Sequence, residues 1–228
     1  MQRNPATPSI ENYIDPEVIK NITDQFHRLY YNAGFFGKTW RDTFWRGVPV
    51  AKCPLDLWVY QEIICSLKPT IIIECGTFVG GSAFFLASIC DLIGCGKIIT
   101  IDTVASPYRP GHMRIDYLTG SSTSKEIVDK VKAEIRDTDT VMVVLDSDHH
   151  KDHVLNELKI YSELVTKGNY LIVEDTNING HPVDPGFGPG PMEAVEDFLE
   201  ENRNFQIDRS KEKFFLTQSP KGYLKKTE

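Results

Sequence analysis

Short β-branched apolar runs alternate with longer segments of helical periodicity along most of the chain. Strands are predicted at 70–74, 97–101, 114–118, 141–145, 170–173, 205–207 and 214–217, and helices at 55–67, 82–93, 124–136, 150–165 and 191–202. This alternation predicts an α/β fold with a doubly wound (Rossmann-like), mostly parallel seven-stranded sheet that carries helices on both faces. The lysines after the last run, Lys221, Lys225 and Lys226, indicate a solvated tail.

The first fifty residues follow a different pattern. A helix is predicted over 15–31, with Asp15 as its N-cap. An aromatic stretch follows, consisting of Phe35, Phe36, Trp40, Phe44 and Trp45. Aromatic residues this dense pack over a core or another subunit more often than they cover a substrate, and both interpretations stay open. We therefore predict a helical and aromatic N-terminal extension, residues 1–52, ahead of one domain, residues 53–228, and we expect a homo-oligomer.

Composition narrows the classes of partner and compartment. The chain has 228 residues, a formal net charge of -7 and 25% charged residues, which is typical of a globular protein and argues against nucleic acid as a partner. The sequence contains neither an N-terminal signal segment nor an apolar run long enough to span a bilayer, so we expect a cytoplasmic protein without a membrane partner. Five cysteines without a C-x-x-C pair indicate reduced thiols.

Carboxylates follow two of the predicted strands at the point where each strand ends. Asp146 follows 141–145, and Glu174 and Asp175 follow 170–173. Because the carboxyl ends of parallel strands line the ligand crevice of an open α/β sheet, we expect these side chains to lie close together. Three carboxylates repel one another unless protons or a divalent cation neutralise them. The sequence therefore predicts a metal site whose oxygen ligands favour Mg²⁺ or Ca²⁺.

A glycine-rich turn between a strand and a helix, E-x-G-x-x-x-G from Glu74 to Gly80, is the second candidate for chemistry. It matches neither a P-loop nor G-x-G-x-x-G, and it suits a ligand with an amino-acid moiety and a nucleoside but no pyrophosphate. A plain tight turn is the alternative.

Two further residues follow later strands. Asp102 is placed either to bind ribose hydroxyls or to cap its loop. Ser122 is placed either to line an adenine pocket or to cap a helix.

These motifs occur in the order seen in class I S-adenosylmethionine-dependent methyltransferases. More closely, four segments resemble the cephalosporin hydroxylase-like / rhamnosyl O-methyltransferase family: 45–49 (WRGVP), 145–150 (LDSDHH), 173–182 (VEDTNINGHP) and 188–195 (GPGPMEAV). The resemblance implies that the protein uses S-adenosyl-L-methionine and Mg²⁺, or another divalent cation, as cofactors.

The resemblance also implies a role for each candidate residue. It implies that Asp146, Glu174 and Asp175 bind the cation, and that His149, three residues after the first acid, is the general base. Ser82 and the 76–81 backbone would hold the methionine part of the cofactor, Asp102 the ribose and Ser122 the adenine. The complete set of predicted cofactor-binding residues is Glu74, Gly76, Thr77, Phe78, Gly80, Gly81, Ser82, Asp102, Ser122, Asp146 and Asp148.

The expected reaction is O-methyl transfer to a hydroxyl of a small molecule, namely a sugar or a glycosylated compound. A cation that contacts the hydroxyl lowers its pKa, and a nearby histidine can take the proton. The loop 177–191 is interpreted as a substrate-covering lid in which His181 contacts the acceptor, with a plain connection as the alternative.

Two other functions stay open. An iron-dependent oxygenase of the cephalosporin hydroxylase type could use His149 and His153, one helical turn apart, together with Asp148. A non-catalytic scaffold that keeps the nucleoside pocket is the third hypothesis.

Overall fold

The computed structural model describes residues 10–228, so residues 1–9 of the predicted extension lie outside the described residues. The strands are β1 (Phe44–Trp45), β2 (Val48–Pro49), β3 (Ile71–Cys75), β4 (Lys97–Asp102), β5 (Ile115–Thr119), β6 (Val141–Leu145), β7 (Tyr170–Val173), β8 (Phe205–Ile207) and β9 (Tyr223–Lys226). The helices are α1 (Pro16–Gly34), α2 (Pro54–Leu67), α3 (Gly81–Ile93), α4 (Lys125–Ala133), α5 (Lys151–Tyr161) and α6 (Pro191–Glu201), with short 3₁₀ turns at Ile10–Asn12, Thr39–Asp42 and Arg209–Glu212.

Seven strands form one sheet in the order β5-β4-β3-β6-β7-β9-β8, and β1 pairs with β2 in a separate hairpin. The five strands from β5 to β7 are parallel, whereas β9 is antiparallel to both of its neighbours. The predicted fold class is therefore confirmed. The winding reverses at β3, which lies between β4 and β6, and a ligand crevice is expected at the carboxyl ends of these strands.

The central strands are buried on both faces, as a sheet covered by helices requires. Every residue of β3, β6 and β7 is buried. Alternate side chains of β3 contribute to two different cores: Ile72 packs in the cluster that contains residues of α2 and α3, and Ile73 in the cluster that contains residues of α4, α5 and α6. This packing fixes the strand ends from which the candidate site is built.

The C-terminal end differs from the prediction. The last strand is β9, not 214–217, and it lies inside the sheet with Tyr223 and Leu224 fully buried. The Nζ of Lys226 donates to the carbonyl oxygens of Ser162 and Val165, at 3.0 and 2.8 Å, beyond the end of α5. The prediction of a solvated tail is therefore wrong.

A buried carboxylate holds the segment before β9 against α2. Asp56 in α2 accepts hydrogen bonds from the Thr217 hydroxyl at 2.5 Å and from the backbone N–H of Gln218 at 2.8 Å. The Tyr223 hydroxyl donates to the same carboxylate at 2.9 Å. The end of the predicted strand 214–217 and the start of β9 are thereby anchored to one side chain, and β9 pairs with β7.

The N-terminal helix begins as predicted and continues past Tyr31 to Gly34. The Asp15 side chain accepts a hydrogen bond from the backbone N–H of Glu17, and Pro16 is the first residue of α1.

All five cysteines lie in the described part of the chain and are free thiols. Within residues 10–228, no helix combines the length and apolar character needed to cross a membrane.

Candidate active site

Close contact between two strand ends positions the centre of the site. Gly76 follows β3 with φ of +102°, and a Cβ at this position would lie 1.9 Å from the carbonyl oxygen of Asp146. The backbone N–H of Asp146 donates to the carbonyl of Cys75 at 2.7 Å, and that of Gly76 donates to Ile101 at 2.8 Å. Only glycine fits this approach, which places Asp146 directly at the crevice.

The first cavity occupies this crevice and has a volume of about 380 Å³, within the range of small-molecule sites. It lies at the ends of β3, β4, β5 and β6. Six of the residues that the sequence predicted to bind the cofactor line it: Gly76, Phe78, Asp102, Ser122, Asp146 and Asp148.

Asp102 caps its loop and also lines the first cavity, so the two predicted roles do not exclude each other, and ribose binding stays a prediction. Its carboxylate accepts from the backbone N–H of Phe78 at 2.7 Å and from that of Val104 at 3.0 Å. The guanidinium of Arg109, a residue that the sequence reading missed, lies 3.3 Å from the same carboxylate and donates to the carbonyl of Phe78 at 3.0 Å. These contacts fix the turn after β3 against the loop after β4.

Ser122 lines the first cavity and does not cap α4, because Ser124 is the N-cap of that helix. Its hydroxyl donates to the fully buried carboxylate of Glu157, and the Ser147 hydroxyl donates to the same oxygen at 2.7 Å. His153 lies 3.3 Å from this carboxylate, which raises the pKa of the imidazole. His153 therefore pairs with Glu157 and does not form a metal site with His149.

The second cavity, of about 430 Å³, opens on the other side of Asp146. It shares Gly76, Phe78, Asp146 and Ser147 with the first cavity. Its outer wall consists of Tyr31, Phe35, Trp40 and Arg41 from the N-terminal segment and of Ile178, Asp184 and Phe187 from the loop before α6. Part of the aromatic stretch thus covers a cavity, and the loop takes part in the same wall, as a lid would.

Three potential metal ligands meet where the two cavities join. One ligand atom each of Asp146, His149 and Asp175 lies within 4.8 Å of the other two. The Nε2 of His149 is 3.3 Å from Asp175 Oδ2 and 3.5 Å from Asp146 Oδ1, yet this buried nitrogen has no hydrogen-bond partner among the described residues. A buried imidazole nitrogen this close to two carboxylates can hold a transferable proton, and the two carboxylates are oxygen ligands of the kind that a divalent cation prefers.

Glu174, the third predicted metal ligand, is not in this group, because a lysine engages it. The Nζ of Lys52 lies 2.6 Å from Glu174 Oε1 and 2.6 Å from Asp146 Oδ2, and the Tyr60 hydroxyl donates to Glu174 Oε1 at 2.7 Å. Lys52 is 3% exposed. Lys52 is not among the residues predicted from the sequence, although it is the one charge in the otherwise uncharged stretch 47–55.

The pKa values of Glu174, Lys52 and His149 are all raised, but for different reasons. Burial and the neighbouring Asp146 raise the pKa of Glu174 to about 8. Burial alone would lower the pKa values of Lys52 and His149, but the adjacent carboxylates raise the pKa of Lys52 above its usual range and that of His149 to about 9. The site without a divalent cation therefore holds Lys52 as an ammonium group and favours a protonated His149.

Comparison with known proteins identifies the family of this chain. A model of the family Rhamnosyl O-methyltransferase/CmcI matches residues 37–227. The chain belongs to this family. The family that the sequence motifs resemble is thereby confirmed, and the match includes both strand ends that carry the candidate ligands.

Individual relatives agree with this assignment. The rhamnosyl O-methyltransferase of Mycobacterium tuberculosis is 38% identical over 210 residues, which are 89% of this chain and 84% of the relative. A solved apo structure of CmcI has a TM-score of 0.65 at 21% identity and covers 82% of this chain and 77% of its own. A CmcI structure described with Mg and SAM has a TM-score of 0.64 at 20% identity, with coverages of 82% and 78%. These structures share the fold of this family member.

Five predicted cofactor-binding residues lie outside the first cavity of this family member. Thr77, Gly81 and Ser82 line the second cavity instead, whereas Glu74 and Gly80 are not among the residues that line either. Glu74 is fully buried beneath the site, where it accepts a hydrogen bond from the Thr100 hydroxyl at 2.6 Å. It can therefore act on a ligand only through its neighbours.

His181 also lies away from the predicted position. Its Nε2 donates to the Glu193 carboxylate at 2.9 Å, and it lines a separate cavity beside α1 instead of the one at Asp146. Glu193 also accepts from the Asn179 amide at 2.8 Å and from the backbone N–H of Gly190 at 2.7 Å. Burial alone would raise the pKa of Glu193, but these donors lower it to about 2. Glu193 therefore holds His181 inside the loop structure, away from the cavity at Asp146.

Proposed function

We propose that this protein transfers the methyl group of S-adenosyl-L-methionine to a hydroxyl of a sugar or a glycosylated small molecule, with the help of a divalent cation. The protein is an S-adenosylmethionine-dependent O-methyltransferase, the class of its family. The observation that carries the proposal is the meeting of two cavities at Asp146. One cavity suits the cofactor and the other the acceptor, and the reacting atoms would meet between them.

The acceptor and cation are inferred from separate observations. The name of the mycobacterial relative, rhamnosyl O-methyltransferase, supports a sugar acceptor. The CmcI structure described with Mg and SAM supports Mg²⁺ and that cofactor. The carboxylates of Asp146 and Asp175, which meet within 4.8 Å, fit a divalent cation between them. The oxygenase alternative loses the His149–His153 pair on which it depended, because His153 contacts Glu157.

Each group of residues around the two cavities would have its own role in the proposed reaction. Gly76 and Phe78 line both cavities and would position the sulfonium methyl beside the acceptor, while Asp102 is placed to bind the ribose. The aromatic wall excludes water and offers flat apolar surfaces to the acceptor. His149 would take the proton of the acceptor hydroxyl at Nε2. A bound divalent cation would lower the pKa of that hydroxyl and offset the carboxylate charges that keep His149 protonated.

Calorimetry with S-adenosylmethionine tests the cofactor assignment. We expect saturable binding of the cofactor, and no binding would refute the transferase function.

A pH profile of the variant His149→Ala tests the base. The substitution should lower turnover by about 10²-fold or more, with partial recovery at high pH, because hydroxide can then replace the lost base. His112→Ala is the control, because His112 hydrogen-bonds Asp91 and lines neither cavity. An unchanged pH profile of His149→Ala would remove it as the base.

The exposed face of α1 supports assembly into a homo-oligomer, which we include in the proposal. Val18, Ile22, Phe26 and Leu29 recur at helical spacing and are between 49% and 67% exposed. An apolar stripe of this kind is typical of a protein interface.

Light scattering of the double variant Ile22→Glu/Phe26→Glu tests this assembly. We expect the variant to be a monomer, because two buried charges would oppose association. Asn21→Glu, which adds a charge beside the stripe on the same helix, should leave the oligomer intact. A monomeric wild-type protein would contradict the proposal.

A further inference from the structure

We propose that Arg109 is a positioning residue that orients Asp102 to bind a ribose hydroxyl of the cofactor. The inference rests on the proposed function, because it takes S-adenosyl-L-methionine as the ligand of the first cavity, and it deepens the assignment of that cavity. Arg109 itself lines neither cavity, so it would act only through the residues that it contacts.

One buried guanidinium connects three segments beside the first cavity. The Nε of Arg109 donates to the carbonyl of Phe78, in the turn after β3, at 3.0 Å. Its Nη2 donates to the carbonyl of Val104, in the loop after β4, at 2.6 Å and lies 3.3 Å from Asp102 Oδ2. The guanidinium also lies over the ring of Tyr117 in β5, 5.6 Å from the ring centre. Because the Arg109 side chain is only 6% exposed, water competes little with these contacts.

These contacts give the two oxygens of Asp102 different surroundings. Oδ2 accepts from the backbone N–H of Phe78 at 2.7 Å and also faces the guanidinium of Arg109. Oδ1 accepts from the backbone N–H of Val104 at 3.0 Å. Each carboxylate oxygen can accept about two hydrogen bonds, so Oδ1 keeps a position for a further donor. By holding Oδ2 toward the turn, Arg109 leaves Oδ1 to accept from a ribose hydroxyl.

Arg109 also stabilises an unusual backbone conformation at Phe78. Phe78 has φ of +50°, in the left-handed region that residues with a Cβ rarely adopt. Its N–H donates to Asp102 and its carbonyl accepts from Arg109, so this pair engages both polar backbone groups of the residue. Phe78 lines both cavities. Loss of Arg109 would therefore release a wall of the cofactor cavity together with the carboxylate.

Gly80, a predicted cofactor-binding residue that lines neither cavity, makes room for this arrangement. It has φ of +83°, and a Cβ there would lie 3.0 Å from the Tyr117 hydroxyl and 3.1 Å from Pro110 Cδ. The Tyr117 hydroxyl donates to the carbonyl of Pro110 at 2.8 Å and so fixes the residue beside Arg109. Gly80 thus serves the loop that carries Arg109 and would affect the cofactor only through that loop.

A lysine could not replace Arg109 in this role. The guanidinium is planar and carries its N–H groups in fixed directions, so it can donate to two carbonyls while it faces a carboxylate. A lysine ammonium keeps the charge without this fixed geometry. The variant Arg109→Lys therefore separates the geometry of the contacts from their charge. It also leaves a cation beside Asp102, so it serves as the test if Arg109→Met does not fold.

Calorimetric binding of S-adenosylhomocysteine and of its 2′-deoxy and 3′-deoxy analogues tests the inference. The wild type should bind at least one deoxy analogue about tenfold or more weakly than the parent compound, because a hydrogen bond to a charged group is lost. Arg109→Met should weaken binding of the parent by about tenfold, since it loses the same hydrogen bond. Its affinity for that deoxy analogue should change by less than about threefold, because the analogue cannot make this bond. A merely structural role would weaken both compounds equally.

Three further variants complete the test. Asp102→Asn should itself remove the preference for the parent compound, and adding Arg109→Met to it should cost less than about threefold more. Arg109→Lys should lose the preference as Arg109→Met does. Arg114→Met is the matched control, because the Arg114 guanidinium also contacts a carboxylate, that of Asp91, and a carbonyl, that of Gly96. Arg114 lines neither cavity, so this variant should bind all three compounds like the wild type.

The outcomes separate the inference from the proposed function. If Arg109→Met weakens the parent and the deoxy analogue equally, or weakens neither, the positioning role is overturned. If Arg109→Lys binds like the wild type, charge alone suffices and the fixed contacts are overturned. If the wild type binds the parent and both analogues equally well, Asp102 does not bind the ribose, and the inference fails while the cofactor assignment stands. If the wild type binds none of the three compounds, the proposed function fails as well.

Discussion

The substitution Gly76→Ala tests how the fold positions the site. The added Cβ would lie 1.9 Å from the carbonyl oxygen of Asp146, whereas an ordinary contact begins at 3.4 Å, so the two strand ends must separate by about 1.5 Å. A displacement of about 1 Å at a reacting centre can cost about 10²-fold in rate. The positive φ of this position adds about 1–2 kcal/mol of strain for a residue with a Cβ. We therefore expect turnover to fall by at least 10²-fold and cofactor binding to weaken.

Gly94→Ala separates the clash from the backbone strain. Gly94 caps α3 with φ of +75°, and a Cβ there would meet no atom within 4 Å. This control should lose about 1 kcal/mol of unfolding free energy and keep its turnover. Turnover with saturating substrates and urea unfolding of both variants give the comparison. If Gly76→Ala retains the turnover of Gly94→Ala, the close approach of the two strand ends does not position the site.

Two further predictions concern the loop before α6 and the C-terminal segment. Glu193→Ala leaves the donors of Asn179, His181 and Gly190 without their acceptor, so the free energy of unfolding should fall by about 1–2 kcal/mol. Limited proteolysis should then cut the loop 177–190 faster. An unchanged cleavage rate would contradict the role of Glu193 in holding this loop. Burial raises the pKa of Asp56 from 3.8 to about 6, although its hydrogen bonds act to lower it. Between about pH 4 and pH 6 the folded protein therefore keeps a proton on Asp56 that the unfolded chain has released. Stability should therefore fall as pH rises from about 4 to about 6, by up to about 3 kcal/mol, and urea unfolding of Asp56→Asn should lack this part of the slope.

The sequence predicted the parts of the site that follow from strand order. Asp146 and Asp175 meet because parallel strands bring their carboxyl ends to one edge, and this geometry depends only on recognising β6 and β7. Asp102 and Gly76 line the first cavity for the same reason. Periodicity and turn chemistry are local signals, and these residues lie directly beside the strands that such signals identify.

The residues that the sequence reading misplaced depend on contacts between distant segments. Lys52 precedes Asp146 by 94 positions, and no local pattern links the two. His181 lies close in sequence to the acids, yet a glutamate in the first turn of α6 decides where its side chain is held. The run 214–217 suits a strand, yet the hydroxyls of Thr217 and of Tyr223 in β9 both donate to the buried Asp56 of α2, across 161 and 167 positions.

Transfer of an isotope-labelled methyl group from S-adenosylmethionine to a rhamnoside is the most direct test of the central claim, that a cofactor and a sugar hydroxyl meet at Asp146. The assay compares the wild type with Asp146→Asn, with Mg²⁺ and after chelation, and cofactor binding is measured in parallel. We predict labelled product with the wild type and Mg²⁺, and loss of product in the variant while cofactor binding is largely kept. Equal product formation by Asp146→Asn would contradict the account.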